Sequence, residues 1–500
     1  MKNPLLPILV CFCLFYHGDV IAEQPLSTYK PVLEFSTYFG SIPDVPHGKG
    51  HDMAIDQSGN IYLTGNLQSK DMPITPTALQ TQFTGAFLAK LNHTGDSLLF
   101  STYIGNPGGT TWSQGVAVDK EGYIYLIGST NNAKFPTTAG AYDESFNGPS
   151  GHADGDAFVM KLNPQGSEII YSTLIGGSGS EIAGKIAVDD LGYAYLVGTT
   201  SSTNFPVTPN AFSTTLNNGH QENGQTDLFI AKLNPTGSHL VYATYVGGSG
   251  SELHLGDIVI DKVGCAYIVG NTSSHDFPTT KNAYASTYMG GALDAFLIKL
   301  STDGSELEYG SFFGGRDRDQ ITSLAIQTDG HIWLGGSTRS ADFPTTEDAY
   351  HTKHRGQWDA FFLELSPVSN QLNYSTLLGG TASEVANVSL HDTGMLVITG
   401  QTRSPDFSYT DRLNPAALKD PSKLYLATFD PGTHTMLSIS VMGGSRNEVC
   451  LKHIMTNNEL YLTGMTTSSD FPITTGAYDT TNNGGERKGN IYVSKLNLTR

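Results

Sequence analysis

Four side chains in this sequence have the chemistry to take a proton from a carbon acid and to hold the charge that results. His51 and His254 can accept the proton, and Arg316 and Arg446 can neutralise a carboxylate beside it. A second set suits ligand binding: His47, Lys49, Trp112, Gln114, His152 and His220. A flat indole stacks on a pyranose face, while basic and amide groups meet hydroxyls or a carboxylate. A third set is acidic. The stretch Gly151–Asp156 (GHADGD) is echoed by Gly219-His220-Gln221-Glu222, and Asp154, Asp156 and Glu222 could take Ca²⁺. Their spacing matches no metal motif, so the simpler reading is two solvated loops whose last Asp leads into a strand.

These residues are positioned by a repeat. Glycines 40, 105, 176, 247, 314, 379 and 443 recur at spacings of 65, 71, 71, 67, 65 and 64 residues. Between them run four short segments rich in β-branched and aromatic residues, such as 116–119, 123–128, 157–162 and 169–175. D-x-x-G separates the first two (Asp119/Gly122, Asp189/Gly192, Asp261/Gly264), and N-P-x-G the last two (Asn163–Gly166, Asn234–Gly237). Both place Gly and Asx where tight turns need them. Four strands per unit and seven units predict an all-β, single seven-bladed propeller. The chain opens with a lone fourth strand (33–39) and closes with a lone third strand (491–496), so pairing the two would close the ring and remove its free edges.

The segments YSTLIGG (Tyr171–Gly177) and IAVDDLGYAYLVGTT (Ile186–Thr200) carry a resemblance. So do the F-P-x-T, A-Y and D-A-F elements, as at Phe277–Thr279, Ala283–Tyr284 and Asp294–Phe296. Together they resemble the SBBP (seven-bladed β-propeller) repeat family of bacterial extracytoplasmic proteins, over roughly everything after residue 32. The resemblance implies the fold and an extracytoplasmic address, and no catalytic motif to transfer.

With strands A to D running from the axis outward, the B→C and D→A links share one face. The long links are all B→C, 21 to 30 residues when counted from Gly65 to Ala86 in the shortest and from Gly198 to Leu228 in the longest. That face is therefore the expected binding face. The D→A links carry Glu181, Glu252, Asp319, Glu384 and Glu448, which the repeat itself is expected to fix through hydrogen bonds to backbone. Departures from the repeat are more telling: His51 and Asp52 before blade 1, Trp112 and Gln114 before blade 2, His254, Arg316, Arg318 and Arg446 later.

The formal charge of −19 argues against nucleic acid and anionic membranes as partners. Residues 1–22 read as a secretory signal peptide, with Lys2, an apolar run from Leu5 to Tyr16, and Val20-Ile21-Ala22 as the cleavage site. The run is too short to anchor the chain in a bilayer. Residues 23–32 then form a linker and 33–500 the propeller. Cys265 and Cys450 fall in blades that are not neighbours, so no disulfide joins them and both are read as core thiols.

No GxSxG, HExxH, P-loop or dinucleotide fingerprint occurs. The expectation is a secreted or periplasmic, monomeric binding module that recognises a polysaccharide or cell-surface glycan through its long-loop face. The sequence fixes no cofactor, and Ca²⁺ is the candidate it offers. The alternative is a polysaccharide lyase acting at the axial mouth through His51, His254, Arg316 and Arg446, by fold-level analogy. A surface adhesin ranks third, because the sequence stops at Arg500 with no sorting domain after the closing strand.

Overall fold

A computed structural model describes residues 30–43, 51–67, 72–149, 155–217, 226–366, 369, 371–414, 422–483 and 488–498. Seven antiparallel sheets stand in a ring, one for each repeat. Blade 3 is typical: strand A Glu181–Val188, B Ala194–Thr200, C Asp227–Leu233 and D Leu240–Val246, each hydrogen-bonded to the next. Blade 7 takes its outermost strand from the start of the chain. Val32–Pro43 pairs antiparallel with Lys488–Asn497, from Val32 opposite Asn497 to Pro43 opposite Lys488. That strand also joins two cores, since Phe35 and Phe39 pack with Met53 and Ile61 of blade 1 while Tyr38 packs with Leu424 of blade 6. The seven blades and the ring closure are as expected from the repeat. Blade 6 adds a short strand, Asp411–Arg412, parallel to its strand D.

The apolar core lies between blades. One cluster joins Tyr125 and Val159 of blade 2 to Leu196 and Phe229 of blade 3, all buried. Cys265 and Cys450 are buried free thiols. Turn chemistry and packing coincide at the N-P-x-G turns. Gly237 has φ of +69°, and a Cβ there would lie 2.4 Å from the Tyr171 ring of the preceding blade. The same turn receives the neighbouring link, with Tyr142 N–H donating to Gly237 O at 2.9 Å.

The B→C links are less free than their length implies. In blade 2 the link folds back along the outer edge of strand D, where Thr138 N–H donates to Ser172 O (3.0 Å) and Leu174 N–H to Asp143 O (2.9 Å). Blades 3 and 5 repeat this, with Thr208 on Ala243 and Thr346 on Ser375, both at 3.0 Å. The F-P-x-T and A-Y elements thus cover the edge strand that a propeller otherwise leaves bare. Among the described residues no helix is long and apolar enough to cross a membrane.

Candidate functional site

The loop face has a common framework, and its chemistry is acidic and buried. Glu181 begins strand A of blade 3 and accepts hydrogen bonds from Thr200 Oγ1 (2.6 Å), Ser202 Oγ (2.5 Å) and Gly177 N–H (3.1 Å). Asp156, which begins strand C of blade 2, faces it. A Cβ on Gly176 would lie 2.5 Å from Glu181 Oε2 and 2.6 Å from Asp156 Oδ1, so both carboxyls press on the same glycine. Asp156 Oδ2 accepts from Asn147 N–H at 2.8 Å, while Oδ1 is buried without a hydrogen-bond partner. Asp227/Glu252, Asp294/Asp319 and Asp359/Glu384 repeat the pair at the next three junctions. Burial pushes Asp156 and Asp294 up to about 7, Asp227 to about 6 and Glu252 to about 8. The acids fixed by the repeat therefore serve blade-to-blade packing, and burial favours their protonated forms. Among the described residues no three His, Cys, Asp or Glu stand where they could hold one metal ion.

Above this framework the side chains differ between blades. The residue just before strand A and the one just after strand B sit together, joined by a backbone hydrogen bond. In blade 3 they are Ser180 and Ser201, and in blade 4 Ser251 and Ser273. The residue before strand C is Gly155 in blade 2 and Thr226 in blade 3. In blade 5 the three positions are Arg318, Arg339 and Trp358. Arg339 N–H donates to Arg318 O at 2.9 Å, and the two guanidinium carbons lie 5.7 Å (Arg339) and 5.9 Å (Arg318) from the Trp358 ring.

The main chain of Trp358 is held by blade 6. Trp358 N–H donates to Ala382 O (3.2 Å), Glu384 N–H donates to Trp358 O (2.8 Å), and Trp358 bridges Ser383. The ring stays half-buried, so one part remains open to solvent. Arg316, Arg355 and Arg403 are exposed on the same face of blades 5 and 6, and Arg318 Nε is buried without a partner. Asp406 is held below the usual carboxylate range by hydrogen bonds from Thr381, with the charge of Arg355 adding to them. Asp317, Asp342 and Asp406 lie among these arginines without balancing them. All nine arginines of the chain lie at or after residue 316, although the whole chain carries −19.

The residues singled out from the sequence fall in several places. His51 is buried on strand A of blade 1, its ring 6.3 Å from Phe87 and its Nδ1 unpartnered. Burial lowers it to about 4, so it is neutral at physiological pH. Arg316 is 87% exposed, with its Nε 3.4 Å from Asp342. Arg446 stands in the link to strand A of blade 7, its N–H donating to Ser468 Oγ at 2.8 Å. Blade 6 separates the two arginines, and the described members of the proton-abstracting set occupy three different blades. Trp112 is the second residue of strand A of blade 2, half-buried, and Gln114 occupies the bulge between Ser113 and Gly115 with Oε1 unpartnered. Asp156 belongs to the buried pair just described. His47, Lys49, His152, Asp154, His220, Glu222 and the side chain of His254 lie outside the described residues. Trp358 and Arg339 were missed from the sequence, where each occupies an ordinary repeat position. The confinement of arginine to the last three blades was the signal that could have found them.

Among known proteins, the SBBP β-propeller repeat model matches residues 34–66, 99–136 and 170–206. The regulatory protein FlaEY of Caulobacter vibrioides is 24% identical over 144 residues, which are 29% of this chain and 14% of that protein. The chain thus spans about one seventh of that relative's length. The polysaccharide lyase Uly1 superposes with a TM-score of 0.46 at 9% identity, covering 95% of this chain and all of that one. A protein of unknown function from Dyadobacter fermentans gives 0.38 at 10% identity, covering 93% and 99%. Likenesses this distant say nothing of chemistry.

Proposed function

We propose that this chain, a closed ring of seven blades carrying SBBP β-propeller repeats, is a binding module for an acidic glycan, which it takes on the loop face of blades 5 and 6. The observation that carries this reading is the replacement of Ser180, Ser201 and Thr226 of blade 3 by Arg318, Arg339 and Trp358 in blade 5. An indole on a main chain anchored to blade 6 offers a flat apolar face to a sugar ring, and its two side-chain torsions keep the entropy cost small. The guanidinium groups near the ring suit the carboxylate or sulfate of an acidic sugar, because their planar fork matches an oxyanion bidentately. The exposed Arg355 and Arg403 extend the track to neighbouring residues of a polymer. A periplasmic or extracellular address, expected from residues 1–22, is where such a polymer would be met.

The test is affinity electrophoresis of the protein through gels containing polygalacturonate or dextran. Polygalacturonate should retard it in a salt-sensitive way, and dextran should not. Trp358→Ala should weaken binding at least ten-fold, about 1.4 kcal/mol, with an unchanged unfolding midpoint. Equal retardation by both polymers, or a Trp358→Ala protein that binds as well as the parent, would sink the reading. Ultraviolet absorbance of the same mixtures reports any unsaturated sugar and so any lyase activity.

A further inference from the structure

A cavity of about 420 Å³ lies on the ring axis, lined by the seven A strands and separate from the loop-face arginines. Its walls come in two layers. The upper layer is one register position of strand A, opposite Thr64 in blade 1, Val197 in blade 3, Val269 in blade 4 and Thr463 in blade 7. In those blades it holds Asp52, Lys185, Asp257 and Lys452, and in the other three Gly, Ser or Asn. A β-bulge precedes the position in five of the seven blades, and a bulge re-aims the side chain that follows it. Two residues further along, the wall is small and mostly apolar, with Ala54, Ala117, Val259, Ala325 and Ile454, and with Ser389 of blade 6, whose buried Oγ has no hydrogen-bond partner. The alanines leave the space.

The charged layer is balanced but loosely joined. Lys452 Nζ stands 3.4 Å from Asp257 Oδ1, a contact that spans the channel between opposite blades. Burial works against the Lys452 charge, yet Asp257 and then Asp52 hold its pKa above the usual lysine value. Lys185 Nζ is 3.9 Å from Asp52 Oδ1, beyond hydrogen-bond reach, and that oxygen is buried with no hydrogen-bond partner. Asp52 Oδ2 is occupied, accepting from Val116 N–H at 3.3 Å. Two anions and two cations around an apolar cup form a poor seat for a singly charged molecule, which would leave one pair of charges unanswered. A zwitterion answers both.

We propose that the axial cavity binds a small zwitterion with an aliphatic group, of the amino acid or dipeptide class. Its ammonium donates to Asp52 Oδ1 and Asp257, its carboxylate accepts from Lys185 and Lys452, and its side chain lies against the alanine layer. The volume is within the range of small-molecule sites and exceeds what a single aliphatic amino acid fills, so a dipeptide is the better fit.

Isothermal titration of the full chain with leucine, leucyl-leucine and N-acetyl-leucyl-leucinamide tests this. Leucyl-leucine should bind, leucine more weakly, and the capped peptide at least ten-fold more weakly than leucyl-leucine. Ala325→Leu and Ala117→Leu each fill the cup without touching a charge. Either should abolish binding while leaving polygalacturonate retardation intact. Lys185→Met should weaken leucyl-leucine at least ten-fold. Absence of heat with both zwitterions, equal binding of the capped peptide, or undiminished binding by a folded Ala→Leu variant would each overturn the proposal, leaving a water-filled channel sealed by its own ion pairs.

Discussion

Blades 3 and 5 are built on one plan and differ where the plan leaves a choice. In both, a carboxylate from strand C faces one from the next strand A: Asp227 with Glu252 after blade 3, Asp359 with Glu384 after blade 5. In both, the B→C link covers the outer edge through the same threonine, Thr208 or Thr346. Above that shared framework blade 3 presents Ser180, Ser201 and Thr226, and blade 5 presents Arg318, Arg339 and Trp358. The difference teaches where in a repeat protein specificity can be written. Positions whose side chains are spent on a neighbouring blade stay alike. Positions whose backbone makes the neighbour contact, as Trp358 N–H does with Ala382 O of blade 6, leave the side chain free to change.

The largest expected effect probes the shared part. A Cβ on Gly247 would sit 2.5 Å from Glu252 Oε2 and 2.6 Å from Asp227 Oδ1, and one on Gly379 would sit 2.6 Å from Asp359 Oδ1 and 2.9 Å from Glu384 Oε2. Gly247→Ala and Gly379→Ala should each destabilise by about 3 kcal/mol, as an overpacked core does, read from denaturant midpoints. A large cost in one and none in the other would show that the two junctions are not equivalent.

A smaller effect concerns protons. A buried carboxyl whose native pKa exceeds its unfolded value of about 4 binds its proton more tightly when folded. Its contribution to stability is whole below about pH 4 and is lost as pH rises through the native value, about 6 for Asp227, about 7 for Asp156 and Asp294, and about 8 for Glu252. His51, His351 and His453, lowered to about 4 by burial (with Arg355 adding at His351), act oppositely: their contribution is lost as pH falls below the usual histidine value. The carboxyls act alone above that value. Unfolding free energy should therefore drop by about 2 kcal/mol between about pH 6.5 and 8, measured by urea denaturation. Glu252→Gln should flatten that slope. A parent protein with constant stability over the interval would mean that the pairs do not hold protons.

The smallest effect lies on the variable surface. Arg316 pairs with Asp342 at 3.4 Å while 87% exposed, so Arg316→Ser should change stability by less than about 0.5 kcal/mol. A larger loss would make this surface part of the framework and blur the contrast between the blades.

Much of this contrast was legible in the sequence, and the unread part has a definite cause. Glycine spacing gave the blade count because each strand D ends in the same turn, and the two unmatched end strands gave the closure. The acids of the D→A links were read as packing groups, since a repeat conserves within itself what its own neighbours require. The partner of each acid was not read. Asp156 and Glu181 lie in different blades, and only the closed ring brings them against one glycine. The length of the B→C links misled, because residues 136–146 look like free loop until strand D is seen to take their hydrogen bonds.

The sequence by itself determined the period, the strands and the turns, because those rest on local backbone preferences and alternating burial. Tertiary structure alone decided which side chains meet. Trp358 meets Arg318 and Arg339 because strands A, B and C of blade 5 stand side by side. Lys452 reaches Asp257 because four blades carry one register position to opposite sides of a single axis. Contacts of that kind depend on the radius and closure of the ring, which no local run of residues contains.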